Sequence, residues 1–359
     1  MTEINLKSLG VTETILNEAR GYHSAFYLAR VSFQAKDIYR LLTSQGEIQG
    51  ELSGKYRFEA TTTLDYPAVG DWVLVDREID EKGRAMIHQC LSRSSILERK
   101  VAGDRYDHQI VATNVNTVFV CMALTEDFNI RRLERYLSVV RQSAAYPVIV
   151  LMKSDLCQEI EQRVRQVESI SFGLDVLVTS SVDLRGYDQL QMYLSEGQTV
   201  AFIGSSGIGK STLINHLLGY QQLQTNEVRA DGKGKHTTTH RQLIILPIGG
   251  IVIDTPGMKE LGLMSAEFET SFQDIEELAK QCKFANCQHE SEPSCAILNA
   301  IQTGKLEKER FENYKKLQRE LSYHQQKEKK VQRQMLKNLA HPKSSVRARI
   351  KPDDYLSNE

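Results

Sequence analysis

The chain has 359 residues, 41% of them hydrophobic and 25% charged, and its net charge is -1. It is long enough for about two or three globular domains, and its even balance of charge favours neither a nucleic-acid partner nor its absence. No apolar run approaches the ~20 residues of a membrane span and the first residues lack a signal-peptide pattern, so we expect a cytoplasmic protein with no membrane partner.

A polar segment at 1–25 is followed by short alternating segments that Gly and Pro interrupt. The segments at 47–60, 69–76 and 84–100 predict strands of a small barrel or sandwich. Basic and aromatic residues lie on two of these predicted strands, Lys55, Tyr56, Arg57 and Phe58 on one and Arg93, Arg99 and Lys100 on another. Such side chains on a strand face are typical of nucleic-acid binding, so the pattern predicts an RNA surface.

From residue 116 onward, buried strands alternate with amphipathic helices. Strands are predicted at 116–124, 146–152, 175–180, 199–205, 242–248 and 250–255, and helices at 131–143, 158–170, 211–219 and after Gly186. This alternation predicts a parallel α/β sheet covered by helices on both faces. A further helix is predicted at 270–282, followed by a Cys/His cluster and a charged helical tail.

Residues 204–211 fit the phosphate-loop pattern G-x-x-x-x-G-K-[ST], between an apolar strand and a helix. Those flanking elements make an incidental Gly-rich turn the weaker interpretation. Backbone N–H groups of such a loop point at phosphates, Lys210 is predicted to bridge the β- and γ-phosphates, and Ser211 to ligate Mg²⁺. The full predicted contact set is Gly204, Ser205, Ser206, Gly207, Ile208, Gly209, Lys210, Ser211 and Thr212.

Two further segments complete the predicted phosphate side. Asp254 closes a buried strand and begins the sequence Asp-Thr-Pro-Gly, so it is predicted to hold Mg²⁺ through water, while the Gly257 N–H senses the γ-phosphate. A polar stretch between the two motifs predicts a first switch in which a threonine completes the Mg²⁺ shell. The choice among Thr237, Thr238 and Thr239 stays open, as does the alternative of a plain polar loop.

Two candidate base-reading loops precede the phosphate loop. The first is Met152, Lys153, Ser154 and Asp155, and the second is Thr179, Ser180 and Ser181. A carboxylate at Asp155 can accept the N1–H and N2–H₂ groups of guanine, a donor pair that adenine lacks, so GTP or GDP is predicted over ATP. One nucleotide-binding domain with a circularly permuted motif order is the simplest arrangement.

The C-terminal part contains three cysteines and a histidine within fourteen residues. Cys282, Cys287, His289 and Cys295 supply soft ligands at spacings that predict a single structural Zn²⁺, against the alternative of buried reduced thiols. From 305 to 351, fifteen Lys+Arg face five Asp+Glu. This excess predicts an RNA phosphate contact, although a solvated helix face is the alternative.

The motif order and the Cys/His cluster resemble the RsgA/YjeQ family of circularly permuted GTPases of small-ribosomal-subunit assembly. The resemblance runs from YRFEA and PAVGDWV through GKHTTTH and DTPG to the cluster. It implies an N-terminal OB-fold at 26–110, a permuted GTPase at 111–265 and a helical zinc domain at 266–359. The implied activity is GTP hydrolysis stimulated by the 30S subunit and coupled to release late in its maturation, by a monomer that contacts 16S rRNA.

Position 152 departs from the related family, and position 258 departs from Ras-like enzymes. Met152 replaces the usual Asn of the base motif, and Met258 replaces the Gln that orients water in Ras-like enzymes. We therefore expect slow basal turnover, with His236 or His240 as candidates to position water. One alternative is a zinc-containing RNA-binding assembly factor in which GTP hydrolysis is incidental. A P-loop ATPase or kinase is the other, which Asp155 and the motif order oppose.

Overall fold

The computed structural model describes residues 4–22, 25–35, 38–79, 83–100, 108–220, 223, 241–255, 272–284, 287–316 and 318–319. Its N-terminal strands are β1 (Tyr27–Ala35), β2 (Ile38–Thr43), β3 (Gly46–Leu52), β4 (Trp72–Val75) and β5 (Ala85–Cys90). They follow the order β1-β2-β3-β5-β4, and β4 pairs back onto β1. The predicted N-terminal unit is therefore a closed barrel and not a sandwich, with inward residues such as Val31, Leu41 and Ile87 fully buried.

The prediction of a strand over 47–60 is wrong in its second half. The strand ends at Leu52, and helix α2 (Gly54–Glu59) follows, because the Ser53 hydroxyl accepts the Tyr56 N–H and caps the helix. An earlier helix, α1 (Glu13–Arg20), lies within the segment expected to be a polar lead-in and packs Ile15 into the core. The basic and aromatic residues expected on a barrel strand thus lie on a helix beside it.

The central unit is a six-stranded part of the same sheet. Its strands are β8 (Thr117–Ala123), β9 (Tyr146–Met152), β10 (Val176–Val178), β11 (Thr199–Ile203), β12 (Gln242–Ile245) and β13 (Ile251–Asp254), in the order β10-β9-β8-β11-β13-β12. Helices α3 (Ile130–Gln142), α4 (Ile160–Glu168), α5 (Tyr187–Gln191) and α6 (Lys210–Leu218) alternate with them. The predicted parallel α/β sheet is confirmed, except that β12 runs antiparallel because the 246–250 connection is too short for a crossover.

The barrel and the α/β sheet are joined in three ways. A hairpin of β6 (Ile96–Lys100) and β7 (His108–Thr113) leads from one to the other, and β1 pairs with β12 through Phe33 and Gln242. The guanidinium of Arg30, 1% exposed, donates to the carbonyls of Leu9, Gly70 and Asn114. Burial lowers the pKa of Arg30 to about 10, so this side chain stays charged at neutral pH and fixes three separate segments.

The C-terminal unit is helical, as predicted. It contains α7 (Gln273–Ala279), α8 (Ala296–Gln302) and a helical segment at 308–316, packed around Phe272, Ile275, Ile297, Phe311 and Tyr314. Within the described ranges, no helix has the length and apolar character that crossing a bilayer requires.

One buried ion cluster connects this helical unit to α3. The Glu134 carboxylate, 4% exposed, accepts hydrogen bonds from Arg310 and, at 2.5 Å, from Asn313 Nδ2. Arg310 also pairs with Asp274 at 2.9 Å. Burial raises the pKa of Glu134, while the charge of Arg310 opposes that shift. We refer to Glu134, Arg310 and Asn313 as the interdomain clamp.

Candidate nucleotide and metal sites

The phosphate loop connects the end of β11 to the start of α6. Gly204 lies so close to β8 that a Cβ there would be 2.5 Å from the Cys121 carbonyl oxygen, so only glycine fits. Gly209, at φ 107°, turns the chain into α6, which begins at Lys210. The N–H groups of the first helical turn lack partners within the helix, so this end of α6 can bind an anion.

Lys210 and Asp254 are the two buried charges beside this loop. The Lys210 ammonium donates to the carbonyls of Gly204 and Ser205 at 2.9 and 2.7 Å. Burial lowers the pKa of Lys210, and burial raises the pKa of Asp254 to about 6, each opposed by the charge of the other. Among the described atoms, Asp254 Oδ2 is buried without a hydrogen-bond partner. A buried carboxylate oxygen with an unused lone pair fits a hydrated Mg²⁺.

Two contacts in or beside the phosphate loop were not predicted from the sequence. The Tyr136 hydroxyl on α3 shares a hydrogen bond with Ser205, and Tyr136 is 1% exposed. Thr255, the residue after Asp254, donates its hydroxyl to the Phe202 carbonyl and so fixes the end of β13 against β11. Nothing in the amphipathic pattern of α3 distinguishes Tyr136 from an ordinary core residue.

The two predicted base loops lie side by side. The Ser154 N–H donates to the Thr179 carbonyl at 3.1 Å, and the Ser180 hydroxyl donates to Asp155 Oδ1 at 2.8 Å. Asp155 is exposed while Thr179 and Ser180 are buried and Ser181 is half-buried. The structure therefore brings an exposed, oriented carboxylate to the surface between the loops.

Lys153 and Met152 both connect the first base loop to the phosphate loop. Lys153 adopts the left-handed conformation at φ 59°, and its ammonium donates to the Gly207 carbonyl at 3.0 Å. Met152 is 2% exposed, and a Cβ built on Gly209 would lie 3.5 Å from Met152 Cε. Met152 therefore contacts the phosphate loop by apolar packing.

Several predicted residues fall outside the described ranges. These are the switch threonines Thr237, Thr238 and Thr239, the candidate water-positioning residues His236 and His240, and Gly257 and Met258 after Asp254. Their assignments stay predictions.

If Asp155 reads guanine, Asp155→Asn should weaken GTP binding by about 1–3 kcal/mol, because an amide donor then faces the N1–H and N2–H₂ donors. The preference should shift toward xanthine nucleotides, which place an acceptor at that edge. Fluorescence titration with both nucleotides measures this, with Asp188→Asn on the exposed face of α5 as the matched control. Unchanged GTP affinity in Asp155→Asn would contradict the assignment.

The predicted Cys/His cluster is assembled in the helical unit. The ligand atoms of Cys282, Cys287, His289 and Cys295 lie within 4.8 Å of one another. Cys282 Sγ is 3.5 Å from His289 Nδ1 and 3.9 Å from Cys295 Sγ, and His289 Nδ1 is 3.4 Å from Cys295 Sγ. Ligands bound tetrahedrally to zinc lie about 3.5–3.8 Å apart, given the usual metal–ligand lengths. The cluster can therefore hold a metal ion in this geometry.

The candidate RNA surfaces are only partly as predicted. Arg93 does not face solvent freely, because it pairs with the buried Asp71 at 2.7 Å and also donates to the Leu64 and Tyr66 carbonyls. On α2, by contrast, Phe58 is 91% exposed, and the exposed Lys55 ammonium lies 3.8 Å from the Glu59 carboxylate. The side chains of Arg99 and Lys100, and residues 320–359 of the tail, lie outside the described ranges.

In the described part of the basic segment, several cations are engaged within the protein. Arg310 belongs to the interdomain clamp, Lys315 pairs with Glu290 at 2.9 Å, and Lys308 lies 4.0 Å from Glu312. A structural role was missed for Arg310 because a run of charges gives no indication of which member is buried.

Comparisons with known proteins agree with this arrangement. The sequence model described as RsgA GTPase matches residues 90–264, and the one described as 50S ribosome-binding GTPase matches residues 199–338. The small ribosomal subunit biogenesis GTPase RsgA 2 of Lactiplantibacillus plantarum is 47% identical over 321 residues, 89% of this chain and 90% of that protein. RsgA 1 of Oceanobacillus iheyensis is 46% identical over 84% of this chain and 87% of its own length.

Two solved structures resemble this chain in fold. The crystal structure of YjeQ from Thermotoga maritima matches with a TM-score of 0.58 and 27% identity, covering 82% of this chain and 98% of that one. That of YloQ, described as a circularly permuted GTPase, has a TM-score of 0.57 at 23% identity and supports the fold alone. With its candidate base loops ahead of its phosphate loop in one sheet, the chain belongs to the RsgA family of GTPases.

Proposed function

We propose that this protein hydrolyses GTP on the small ribosomal subunit during late maturation and leaves after hydrolysis. The observation that carries the proposal is the meeting of two base loops and a phosphate loop, held together by Lys153 and Met152, at the end of a single sheet. The names of the curated relatives supply the subunit, since they are small-subunit biogenesis GTPases. The cytoplasm, where ribosomes mature, is the matching location.

The nucleotide contacts follow from the described geometry. We assign Lys210 and the N–H groups at the start of α6 to the phosphates, Asp155 to the Watson–Crick edge of guanine, and Lys153 to the base face. Ser211 and Asp254 would hold Mg²⁺, which when bound neutralises phosphate charge. Lys210 is already directed into the loop by its two carbonyl contacts, so it needs little reorganisation to reach an anion there.

Slow intrinsic hydrolysis is part of the proposal. Position 258 is Met, which offers no hydrogen bond to orient the attacking water as Gln does. His236 or His240 can position water by accepting its proton, and a bound subunit can assist them. The incidental-hydrolysis alternative draws its support from the same Met258 and from Met152.

The remaining assignments concern organisation and partners. We propose the divisions 26–110, 111–265 and 266–359, noting that β7 crosses the first boundary. The cluster suits a structural Zn²⁺, because four protein ligands leave no open position. The exposed Phe58 of α2 and the basic residues of the tail are the proposed contacts to 16S rRNA, made by a monomer.

A titration of 30S subunits tests the function directly. Turnover should rise at least about tenfold over the intrinsic rate at saturation, a barrier change of ~1.4 kcal/mol. Separate 50S subunits and bare 16S rRNA are essential controls, since one matching family description names the large subunit. A truncation after Arg319 leaves the described core residues Phe311 and Tyr314 in place and should weaken subunit binding and its salt dependence.

Each control has a distinct meaning. Equal stimulation by 30S, 50S and bare RNA would reduce the effect to nonspecific RNA binding. No stimulation by 30S subunits that nevertheless bind the protein would favour the alternative in which hydrolysis is incidental.

A further inference from the structure

Position 152 places an apolar side chain where the first base loop leaves its strand. Met152 ends β9, is 2% exposed and packs in the cluster that contains Ile208 and Leu213. Its Cε lies beside Gly209 of the phosphate loop. A thioether has no hydrogen to donate, so this side chain supports the loop by packing alone.

Guanine presents two chemically different edges to such a site. N7 and O6 are acceptors and need donors, whereas N1–H and N2–H₂ are donors and need an acceptor. Asp155 supplies an acceptor for the second edge, and its orientation is fixed by the Ser180 hydroxyl at 2.8 Å. Met152 supplies nothing for N7.

Of the two neighbouring side-chain donors, one is engaged and the other is buried. The Lys153 ammonium is bonded to the Gly207 carbonyl at 3.0 Å, and the Ser154 hydroxyl, in a residue 2% exposed, has no hydrogen-bond partner among the described atoms. Lys153 thereby carries the polar connection between the base loop and the phosphate loop, while Met152 carries the apolar one.

We propose that this protein recognises guanine through its Watson–Crick edge without a contact to N7, and that Met152 is the residue that sets this tolerance. The inference rests on the proposed nucleotide site. It predicts that a guanine nucleotide altered only at N7 binds with the same affinity as the unaltered nucleotide. It also predicts that an amide donor at position 152 makes the protein prefer the unaltered nucleotide.

Three nucleotides separate the inference from the site assignment: GDP, 7-deaza-GDP, in which carbon replaces N7, and IDP, which lacks the N2 amine. Affinities are measured by calorimetry on the full-length wild-type protein with Mg²⁺. We expect 7-deaza-GDP to bind within about twofold of GDP and IDP at least about tenfold more weakly, since Asp155 then loses a partner. A preference for GDP over 7-deaza-GDP of about fivefold or more, with IDP still weak, would overturn the inference and leave the site intact. IDP binding equal to GDP would instead overturn the site assignment itself.

Two substitutions test the role of position 152. Met152→Asn should acquire a preference for GDP over 7-deaza-GDP of about threefold or more, the value of one added hydrogen bond. Met152→Leu, an apolar replacement of similar volume, should show none. If Met152→Asn folds with an unchanged Tm and still fails to discriminate, the side chain at this position does not face N7 and the inference is wrong. Should that variant fail to fold, the wild-type comparison decides alone.

Discussion

Lys210→Ala is expected to lower GTP turnover by at least about 100-fold, both alone and with 30S subunits. The Lys210 ammonium is a buried positive charge at the N-terminal end of α6. Its hydrogen bonds to two carbonyls of the phosphate loop direct it toward the predicted phosphate position. Its charge also opposes the effect of burial that raises the pKa of Asp254 to about 6. Alanine therefore removes one predicted phosphate contact and weakens the ionisation of the predicted Mg²⁺ ligand.

Single-turnover hydrolysis of labelled GTP measures this effect most directly, with subunit binding followed in parallel. Arg165→Ala, on the exposed part of α4, is the matched loss of a cation and should leave turnover unchanged. Lys210→Ala should retain its fold, because its apolar neighbours Leu213 and Ile214 keep α6 packed. Turnover within about tenfold of wild type would show that another group carries the phosphate charge.

Cys287→Ser is expected to lose the bound metal and unfold the helical unit. Structural zinc contributes about 10–16 kcal/mol in small domains, far more than the described core of this unit can supply alone. The cluster holds the 282–295 segment against α8, whose first N–H groups include the Leu298 N–H bonded to Cys295 Sγ. Without the metal, the remaining cysteines protonate at neutral pH and no longer hold the segment together.

Elemental analysis and thermal unfolding test this expectation together. Wild-type protein purified without added metal should contain stoichiometric zinc, and a chelator should reproduce the Cys287→Ser unfolding. Cys90→Ser is the control, because Cys90 lies on β5 of the barrel and outside the cluster. Metal-free native protein with an unchanged Tm would mean that the four residues are buried thiols and a histidine without a structural ion.

Periodicity and motif spacing were sufficient to predict most of the architecture. The continuous apolar runs of β8, β9 and β11 indicated buried parallel strands, and the Cys/His spacing correctly predicted that these four side chains come together. The failure at 54–59 is local: Ser53 caps a helix where alternation suggested that the strand continues. Over this short segment, the N-cap hydrogen bond of Ser53 favours a helix more strongly than the ambiguous alternation favours a strand.

The contacts between distant residues could not be predicted from the sequence. Glu134 and Arg310 are 176 positions apart, and the basic segment that contains Arg310 predicted an RNA contact or a solvated face. Likewise the Tyr136 contact to Ser205 depends on how α3 packs beside the phosphate loop, which no local pattern encodes. Which members of an amphipathic helix meet a functional loop is decided by tertiary packing alone.

The interdomain clamp gives the helical unit a defined resting position. A partial separation of Arg310 and Asn313 from Glu134 that kept the carboxylate buried and unpaired would cost about 3–5 kcal/mol. The helical unit therefore moves between two discrete arrangements, docked and undocked, without stable intermediate positions. A ribosomal partner that draws it away must bind the undocked arrangement more tightly than the docked one.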